Sequence, residues 1–487
     1  MAERRVASAR MAPRTASPTA PVVRRVNGGG LKATVTAGRI VDDVVALGWP
    51  VGTVLGSEAE LLERYDVSRA VFREAVRLVE HQQVARMRRG PGGGLIVSEP
   101  SVDAIIDAAV VYLHRTGARL DEVFEARLVL EEIVTDLATD RLDEHDLARI
   151  RSLVSDEEAG LIVDARAFHA LLASVTRNPA LELFVDIMNR VSALYLSDAR
   201  SISAGTATES HHAHVRIADA VLLGDASAAR RRMRKHLEAE IEYLRRRRRT
   251  AQQLLPGTAL GSARTNARAE AVARAILQQI SEDELEPGAL LGSEADLMAQ
   301  HGVSRSVLRE AVRLLEHHRV AAMRRGPGGG LFVVEADAGA VTDVVALHLA
   351  RRGLKLEDLA ELRSRLELVL VGLAVAKLDD AGVARLESLA EREAGATDEE
   401  YIDAIHDLHA EVAHLAGNRA LELVELVLIR LTRLHQAAEL SPRTRQRIRS
   451  NVVSAHAEIT AAIIERDAEL ARHRMRRHLH EVTETLR

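Results

Sequence analysis

The chain repeats one segment almost unchanged, and this repeat constrains its fold more than any other feature. Residues 52–97 and 288–333 share 31 identities in 46 gap-free positions, and both contain the run MRRGPGGG. Such similarity at a fixed offset indicates two copies of one structural unit. The length of 487 residues also exceeds the ~250–300 residues at which a single core stops growing. We therefore predict several domains arranged as two tandem units.

The similarity continues at a lower level after the repeated segment. RLVLEEIVTDLA from Arg127 corresponds to RSRLELVLVGLA from Arg363, and NPALELF from Asn178 corresponds to NRALELV from Asn418. A polar stretch containing Pro and Gly separates the two units and is typical of a linker. The predicted divisions are a disordered tail at 1–30, a first module at 31–98, a first helical domain at 99–248, a linker at 249–265, a second module at 266–334 and a second helical domain at 335–487.

Composition limits the chemistry that is available to this chain. Aromatic residues are only 2% of the sequence, and Ala, Leu, Val, Arg and Glu dominate, which favours helices. There is no cysteine, so disulfides, thiolate metal sites and cysteine nucleophiles are excluded, which fits a cytoplasmic protein. The net charge is −5, so a nucleic acid would have to bind to a local concentration of positive charge. No apolar run reaches the ~18 residues that a membrane helix needs, so we expect no membrane partner.

Each repeated segment begins with two short helices joined by a turn. Ser57 and Ser293 each precede an acidic residue by three positions, a spacing that predicts a capped helix start. Asp66 or Gly302 suits the turn that follows, and the serine of VSR can cap a second helix. Two helices joined in this way describe a helix-turn-helix.

The second of these helices carries arginines at intervals of four residues, on a face away from its apolar stripe. These residues are Arg69, Arg73 and Arg77 in the first copy and Arg305, Arg309 and Arg313 in the second.

The repeated glycine run lies between two short strand-like segments. VARMRR and LIV flank GPGGG in the first copy, and VAAMRR and LFVV flank it in the second. Glycines supply the positive φ angles that a hairpin needs, so we predict a wing whose arginines can enter a minor groove. These are Arg88 and Arg89 in the first copy and Arg324 and Arg325 in the second. A nucleotide-binding loop is disfavoured because the glycines precede a strand and no GxxxxGK[ST] pattern is present.

These motifs resemble a known family. The segment GTVLGSEAELLERYDVSRAVFREAVRLVEHQQVARMRRGPGGGLIV and its second copy resemble the winged helix-turn-helix of GntR-family bacterial transcription regulators. The following ~150 residues of each half, an ordinary domain length, resemble the all-helical FCD effector domain of the FadR-like subgroup. The resemblance implies a mainly α fold with two winged helix-turn-helix domains, each followed by an FCD bundle. It also implies a ligand-responsive regulator, which we expect to be a repressor gated by a small carboxylate or an acyl-CoA-like molecule bound in the helical bundles.

The resemblance assigns DNA contacts residue by residue. The family's DNA-contacting arginines correspond to Arg69 and Arg73 and to Arg305 and Arg309, with the wing-tip position at Arg89 and Arg325. Guanidinium groups can grip phosphates or read guanine. Two positions depart from the family pattern in both copies, so the operator sequence of relatives cannot be transferred. Gly56 and Gly292 replace the usual proline, and Ala59 and Ala295 replace an arginine.

Three histidines recur at corresponding places in the two helical domains. They are His169, His214 and His236 in the first domain and His409, His456 and His478 in the second. A lone helical histidine is usually structural, but a repeated set suggests a metal site.

In FCD domains such histidines resemble the ligands of a divalent metal, together with an aspartate one turn before the first histidine. Ala165 and Ile405 occupy that position here, Asp164 is poorly aimed, and His406 could substitute in the second domain. Three histidines can still hold zinc or nickel with an open position for a carboxylate. The alternative is a metal-free pocket in which the histidines and Arg127 or Arg363 bind a small anionic effector directly.

Two other functions are considered on the sequence. Three histidines with an open zinc position could make a metal-dependent hydrolase, but no catalytic motif accompanies them. A helical scaffold would leave the two wings unexplained. We expect double-stranded DNA with two similar half-sites as the main partner, and an internal pseudo-dimer of the two FCD bundles. Two chains could also pair as a homodimer.

Overall fold

The computed structural model describes residues 28–486, apart from 82, 89, 91–92, 99–101, 161–163, 165, 197–203, 248–266, 325, 327, 337, 398–400 and 440–441. The chain divides into two compact units, residues 1–98 and 99–487, which are treated separately. The first helix begins at Gly28, so it includes the last three residues of the predicted tail. The rest of the tail and the predicted linker lie outside the described residues. Among the described helices, none is long and apolar enough to cross a membrane.

The first unit contains three helices and a three-stranded antiparallel sheet in the order β1-β3-β2. Its elements are α1 (Gly28–Ala46), β1 (Val54–Gly56), α2 (Glu58–Tyr65), α3 (Arg69–His81), β2 (Ala85–Arg88) and β3 (Gly94–Val97). As predicted, Ser57 caps α2 in a reciprocal capping box with Glu60, and Asp66 ends the helix in a left-handed conformation with φ 52°. The two side chains thereby fix the length of α2.

Glycine is required where β3 passes close to β1. Gly94 has φ 152°, and a Cβ atom built there would lie 2.4 Å from the carbonyl oxygen of Gly56. Only glycine lets the two backbones approach this closely. The sequence predicted the β2–β3 hairpin but not β1, which is only three residues long.

The second unit begins with seven helices. They are α4 (Val102–Arg115), α5 (Leu120–Arg141), α6 (Glu144–Glu158), α7 (Arg166–Val175), α8 (Pro179–Leu196), α9 (Ala204–Leu222) and α10 (Ala226–Arg247). Helix α5 packs against α7, α8 and α10, and because it is covered on several sides it buries twelve of its 22 residues, Arg127 and Glu131 among them. The core of this domain is therefore centred on α5.

The next part of the second unit repeats the element order of the first unit. It comprises α11 (Ala267–Glu282), β4 (Leu290–Gly292), α12 (Glu294–His301), α13 (Arg305–His317), β5 (Ala321–Arg324) and β6 (Gly330–Val333). Its sheet has the order β4-β6-β5. Ser293 forms the same capping box with Asp296, Gly302 is left-handed at φ 60°, and the side chain of Ser304 caps α13. The local sequence signals therefore specify the same geometry in both places.

Seven further helices complete the chain. They are α14 (Ala338–Arg351), α15 (Leu356–Lys377), α16 (Asp380–Gly395), α17 (Tyr401–Leu415), α18 (Arg419–Glu439), α19 (Pro442–Ile464) and α20 (Ala468–Leu486). Helix α15 is central here, packed against α17, α18 and α20. The prediction of a mainly α protein with small β-hairpins is confirmed.

The two helical domains contact each other through reciprocal hydrogen bonds. Asn178 Nδ2 donates to the carbonyl oxygen of Asp358 at 2.9 Å, and Asn418 Nδ2 donates to the carbonyl oxygen of Glu122, also at 2.9 Å. Asn178 corresponds to Asn418, and Glu122 corresponds to Asp358. The same contact is thus made in both directions, as in an interface between two like subunits.

Candidate DNA-reading surface and histidine sites

The predicted arginines of α3 are exposed beside an acidic residue of the preceding helix. Arg69 Nε and Arg73 Nε lie 3.3 and 3.5 Å from Glu58 Oε1, with 69% and 66% of their side chains exposed. Arg77, one turn further, pairs with Glu74 at 3.0 Å. Exposed ion pairs of this kind are weak, so a phosphate or base edge can replace Glu58 at little cost.

Helix α13 presents the same surface in the second unit. Arg305 Nε and Arg309 Nε lie 3.6 and 3.0 Å from Glu294 Oε1, again with most of each side chain exposed. Arg313 Nε donates to the carbonyl oxygen of Arg309 at 3.3 Å. Glu58 and Glu294 thus lie at corresponding places beside these guanidinium groups, a contact that the sequence did not predict.

The structure describes two of the four predicted wing arginines. Arg88 and Arg324 end β2 and β5 and are exposed. The guanidinium carbon of Arg324 lies 4.3 Å from the ring centroid of Phe332, a distance at which the aromatic face attracts a cation. Arg89 and Arg325 lie outside the described residues, so their assignment to the wing tip stays a prediction.

The three histidines of each helical domain converge at its centre. In the first domain His169, His214 and His236 come from α7, α9 and α10, and each offers a ring nitrogen within 4.8 Å of the others. All three are buried, with at most 8% of the residue exposed.

The second domain brings together the corresponding residues of α17, α19 and α20. His409, His456 and His478 meet the same 4.8 Å criterion and are also buried. His456 Nε2 lies 3.2 Å from His478 Nε2. The tertiary structure therefore unites six histidines that are spread along the sequence into two clusters.

A carboxylate orients the first histidine of each cluster. His169 Nδ1 lies 2.5 Å from Glu131 Oε2, and His409 Nδ1 lies 2.5 Å from Glu367 Oε2. With Nδ1 engaged, the Nε2 atom of each ring remains for a ligand.

A second carboxylate orients the next histidine of each cluster. His214 Nδ1 lies 3.1 Å from Glu157 Oε1, and His456 Nδ1 lies 2.8 Å from Glu393 Oε1. These four glutamates were not predicted from the sequence. Glu131 and Glu367 are 236 positions apart, as are Glu157 and Glu393, and this recurrence at the offset of the repeat could have revealed them.

Burial disfavours the charged form of five of the six rings, those of His214, His236, His409, His456 and His478. Desolvation lowers the pKa of His456 to about 4 and that of His478 to about 3, and it holds the pKa of His236 and His409 well below the ordinary value. Desolvation likewise lowers the pKa of His214. A neutral imidazole has a free lone pair, which is the form that binds a metal.

The other candidate ligands are not part of the clusters. Asp164 forms an ion pair with Arg166 at 2.7 Å on the surface, in agreement with its poor aim. His406 is buried, but the clustered ligand atoms of the described second site are those of the other three histidines.

The two predicted effector-binding arginines are buried and already paired. Arg127 Nε lies 3.0 Å from Glu131 Oε1, and Arg127 Nη1 lies 2.9 Å from Glu240 Oε2. Arg363 Nε lies 2.6 Å from Glu367 Oε1 and 3.3 Å from Glu425 Oε1. Each arginine is thus joined through one glutamate to the first histidine of its cluster. A direct contact of Arg127 or Arg363 with an effector stays a prediction.

The donor set fits a divalent transition metal. Among the described residues, His214 Nε2 is buried and has no hydrogen-bond partner, which is costly for a polar atom unless something binds it. Three imidazoles, two of them oriented by carboxylates, match zinc or nickel sites and leave coordination positions open.

Comparison with known proteins identifies the domains. The FCD domain model matches residues 122–239 and 358–481, and the model of the bacterial regulatory proteins of the gntR family matches residues 268–333. The chain is 31% identical over 200 residues to the HTH-type transcriptional regulator LutR of Bacillus subtilis, covering 38% of this chain and 89% of that protein. It is 31% identical over 212 residues to the uncharacterized HTH-type transcriptional regulator YcbG of the same organism, covering 43% of this chain and 86% of that protein.

The match to a solved structure, Streptococcus agalactiae GntR, spans 44% of this chain and 99% of that chain, with 25% sequence identity and a TM-score of 0.36. The family model falls on α11 to β6, where the described arginines of α13 and β5 lie, and the FCD models contain both histidine clusters. The chain therefore belongs to the GntR family of transcriptional regulators, carries the FCD domain in two regions, and is a regulator rather than an enzyme.

Proposed function

We propose that this chain is a ligand-responsive repressor that binds one operator through two DNA-reading modules. The observation that carries the proposal is the recurrence of the same exposed arginine face, on α3 and α13, next to the same β-hairpin. The second occurrence coincides with the gntR-family match.

Each module reads DNA with the N-terminal half of its second helix. On binding, phosphates and base edges replace Glu58 or Glu294 as partners of the arginines, and the wing follows the neighbouring minor groove. Because the arginines of both helices recur, the two half-sites are similar. Their separation is about one helical turn of DNA.

The FCD domains act as an internal pseudo-dimer. The reciprocal hydrogen bonds of Asn178 and Asn418 support this arrangement, which places two like domains around an approximate twofold axis. One chain then supplies the pair of FCD domains that two chains supply in a regulator with a single FCD domain per chain.

Each FCD domain holds a divalent cation, zinc or nickel, on its three histidines and senses a small anionic effector. The metal would supply a positive charge with an open position for a carboxylate oxygen. Glu131 and Glu367 hold the first histidine of each cluster in the required orientation, and Arg127 and Arg363 hold those glutamates.

The proposal includes a physical route from the first FCD domain to the second DNA-reading module. Arg115 at the end of α4 donates hydrogen bonds to the carbonyl oxygens of Arg319, Val320 and Val334 at 3.2, 3.0 and 2.5 Å. These carbonyls lie at the base of the β5–β6 hairpin. A ligand that shifts α4 would therefore move the module that reads DNA.

Fluorescence anisotropy with a duplex from the gene's own promoter tests DNA binding. Arg73→Ala and Arg309→Ala should each weaken binding by about 5- to 150-fold, since a good base contact contributes about 1–3 kcal/mol. The slope of log affinity against log salt should fall by ~0.9 for each phosphate that the variant no longer binds. Arg246→Ala, which removes an exposed arginine paired with Glu242 on α10, is the matched control. If only one of the two helix variants weakens binding, one chain does not read DNA through both modules.

Metal analysis tests the sensor sites. The purified chain should bind two zinc or nickel ions, and His456→Ala should bind one, whereas His480→Ala, an exposed neighbour of His478, should still bind two. Equal metal content in all three proteins would contradict the histidine sites.

A further inference from the structure

The two FCD domains meet through contacts of two kinds. The hydrogen bonds of Asn178 and Asn418 are made in both directions, but three ion pairs across the same interface are made in one direction only. In each of these pairs the arginine belongs to the second FCD domain and the carboxylate belongs to the first. The pairs are Arg352 with Glu182 at 2.9 Å, Arg365 with Asp136 at 3.5 Å and Arg419 with Glu122 at 2.9 Å.

The reverse pairs cannot form because the first domain lacks the cations. Its residues at the positions of the three arginines are Thr116, Val129 and Pro179. None of these side chains carries a charge, so the approximate twofold axis that relates the two backbones does not relate the ion pairs. At these positions the interface has an acidic face on the first domain and a basic face on the second.

One further ion pair across the interface runs in the opposite direction. It joins Arg141 of the first domain to Glu361 of the second. The corresponding residues, Lys377 and Glu125, carry the same charges, so this pair favours no particular combination of domains.

Two first domains would form a poorly matched interface. Their acidic residues would face the uncharged side chains at the three positions instead of arginines. The side chains of Glu122 and Glu182 are only 13% and 27% exposed, and a partly buried carboxylate that loses its cation weakens an interface. Asp136 would keep a partner, because Arg230 of its own domain lies 2.9 Å away.

Two second domains would bring cations together. Gly372 occupies the position of Asp136 in the second domain, and a Cβ atom built there would overlap the guanidinium group of Arg472. Arg365 would therefore meet Arg472 instead of a carboxylate. The other two arginines would still face acidic residues, so the stronger selection lies in the first domain.

We propose that the FCD interface of this chain is heterotypic: the acidic face of the first domain is specific for the basic face of the second and does not pair with a copy of itself. Each ion pair is partly exposed and adds little affinity alone. Specificity, however, is the difference between the right and the wrong partner, and unpaired acids on both sides disfavour the wrong one. Because both faces belong to one chain, their effective concentration is high and they close within that chain. The inference rests on the proposed internal pseudo-dimer.

Charge reversal of the basic face tests the proposal. The acidic variant combines Arg352→Glu, Arg365→Glu and Arg419→Glu, so that the two faces of one chain repel each other. Sedimentation velocity should show a compact monomer for the wild type and an expanded monomer for the acidic variant. The acidic variant should stay monomeric because its released first domain finds no cation on a second copy. The matched control reverses three exposed arginines of α6 and α10 that make none of these contacts, and it should remain compact: Arg151→Glu, Arg231→Glu and Arg246→Glu.

A complementary variant tests whether the released face can still bind. The basic variant combines Glu122→Arg, Asp136→Arg and Glu182→Arg. A mixture of the acidic and basic variants should form a 1:1 complex at least ~10-fold more tightly than the acidic variant pairs with itself, because opposite charges then meet at both interfaces. All six substitutions in one chain should restore the compact monomer. Urea unfolding curves establish that each variant is folded.

The outcomes separate this inference from the arrangement on which it rests. Self-association of the acidic variant as tight as that of the mixture overturns the inference. An acidic variant as compact as the wild type also overturns it, and so does a mixture of folded variants that does not associate. A wild type as expanded as the acidic variant refutes the internal pseudo-dimer itself.

Discussion

Arg115 should stabilise the second DNA-reading module from the neighbouring FCD domain. Its guanidinium makes three hydrogen bonds to carbonyl oxygens at the base of the β5–β6 hairpin. Next to it, His114 Nε2 lies 2.8 Å from Ser281 Oγ of α11. These side chains come from α4, which ends more than two hundred residues before the β5–β6 hairpin.

The size of the effect follows from these contacts. A hydrogen bond to a charged group contributes about 1.5–3 kcal/mol. The free-energy contributions of the three hydrogen bonds of Arg115 do not add in full, because the guanidinium group loses hydration when it is buried. The same burial lowers the pKa of Arg115. In Arg115→Ala, water can also reach the vacated carbonyls. We expect a loss of about 2–4 kcal/mol in the free energy of opening the hairpin, which corresponds to roughly 30- to 800-fold more frequent opening.

Hydrogen exchange measures this directly, because amide protection reports local opening. Arg115→Ala should speed exchange of the amides in β5 and β6 by at least ~30-fold, while the amides of α15 remain protected. The control is Arg119→Ala, which removes an exposed arginine paired with Asp121. Unchanged exchange in β5 and β6 would show that Arg115 does not hold the module.

Three further predictions concern stability. Burial and the nearby Asp103 raise the pKa of Asp107 to about 7. The folded state therefore keeps a proton that the unfolded chain loses near pH ~4. The free energy of unfolding should fall as the pH rises between these two values. Urea unfolding of Asp107→Asn should show a stabilisation relative to wild type that is larger at pH 8 than at pH 5, and parallel pH profiles would contradict this. In Gly330→Ala the new Cβ would lie 2.6 Å from the carbonyl oxygen of Gly292, so we expect a loss of about 1–3 kcal/mol in thermal unfolding, and an unchanged Tm would refute the close approach. Ser293→Ala removes the cap of α12 and should cost about 1 kcal/mol in denaturant unfolding, whereas Ser293→Asp should restore it.

Local sequence signals predicted the paired helices and the hairpin of each repeated segment well. Capping serines, the left-handed residue at Asp66 or Gly302, and the glycine run act within a few residues of their own position, so they can be read without knowing the rest of the fold. The strands β1 and β4 were not predicted, because three residues form a strand only when β3 or β6 lies alongside them.

The histidine sites were predicted only in part. Their six histidines were found because the sequence repeats them, but Glu131 and Glu157 orient them from helices that contain no histidine ligand. Sequence spacing cannot indicate a hydrogen bond between residues 38 or 57 positions apart. The pairing of Arg127 with Glu240 and of Arg363 with Glu425 was also not predicted, because each glutamate looks like an ordinary helix residue until its helix packs against α5 or α15.

The mainly helical fold, the helix-turn-helix and hairpin elements, the repeat and the GntR-family resemblance all follow from the amino-acid sequence alone. These depend on local propensity and on periodic patterns, which each segment carries within itself. The tertiary structure decided which histidines meet, which carboxylates orient them, and that Arg115 holds a module from the other half of the chain. Burial and hydrogen bonding between distant helices exist only once the chain is packed, since both arise from groups that are far apart in sequence.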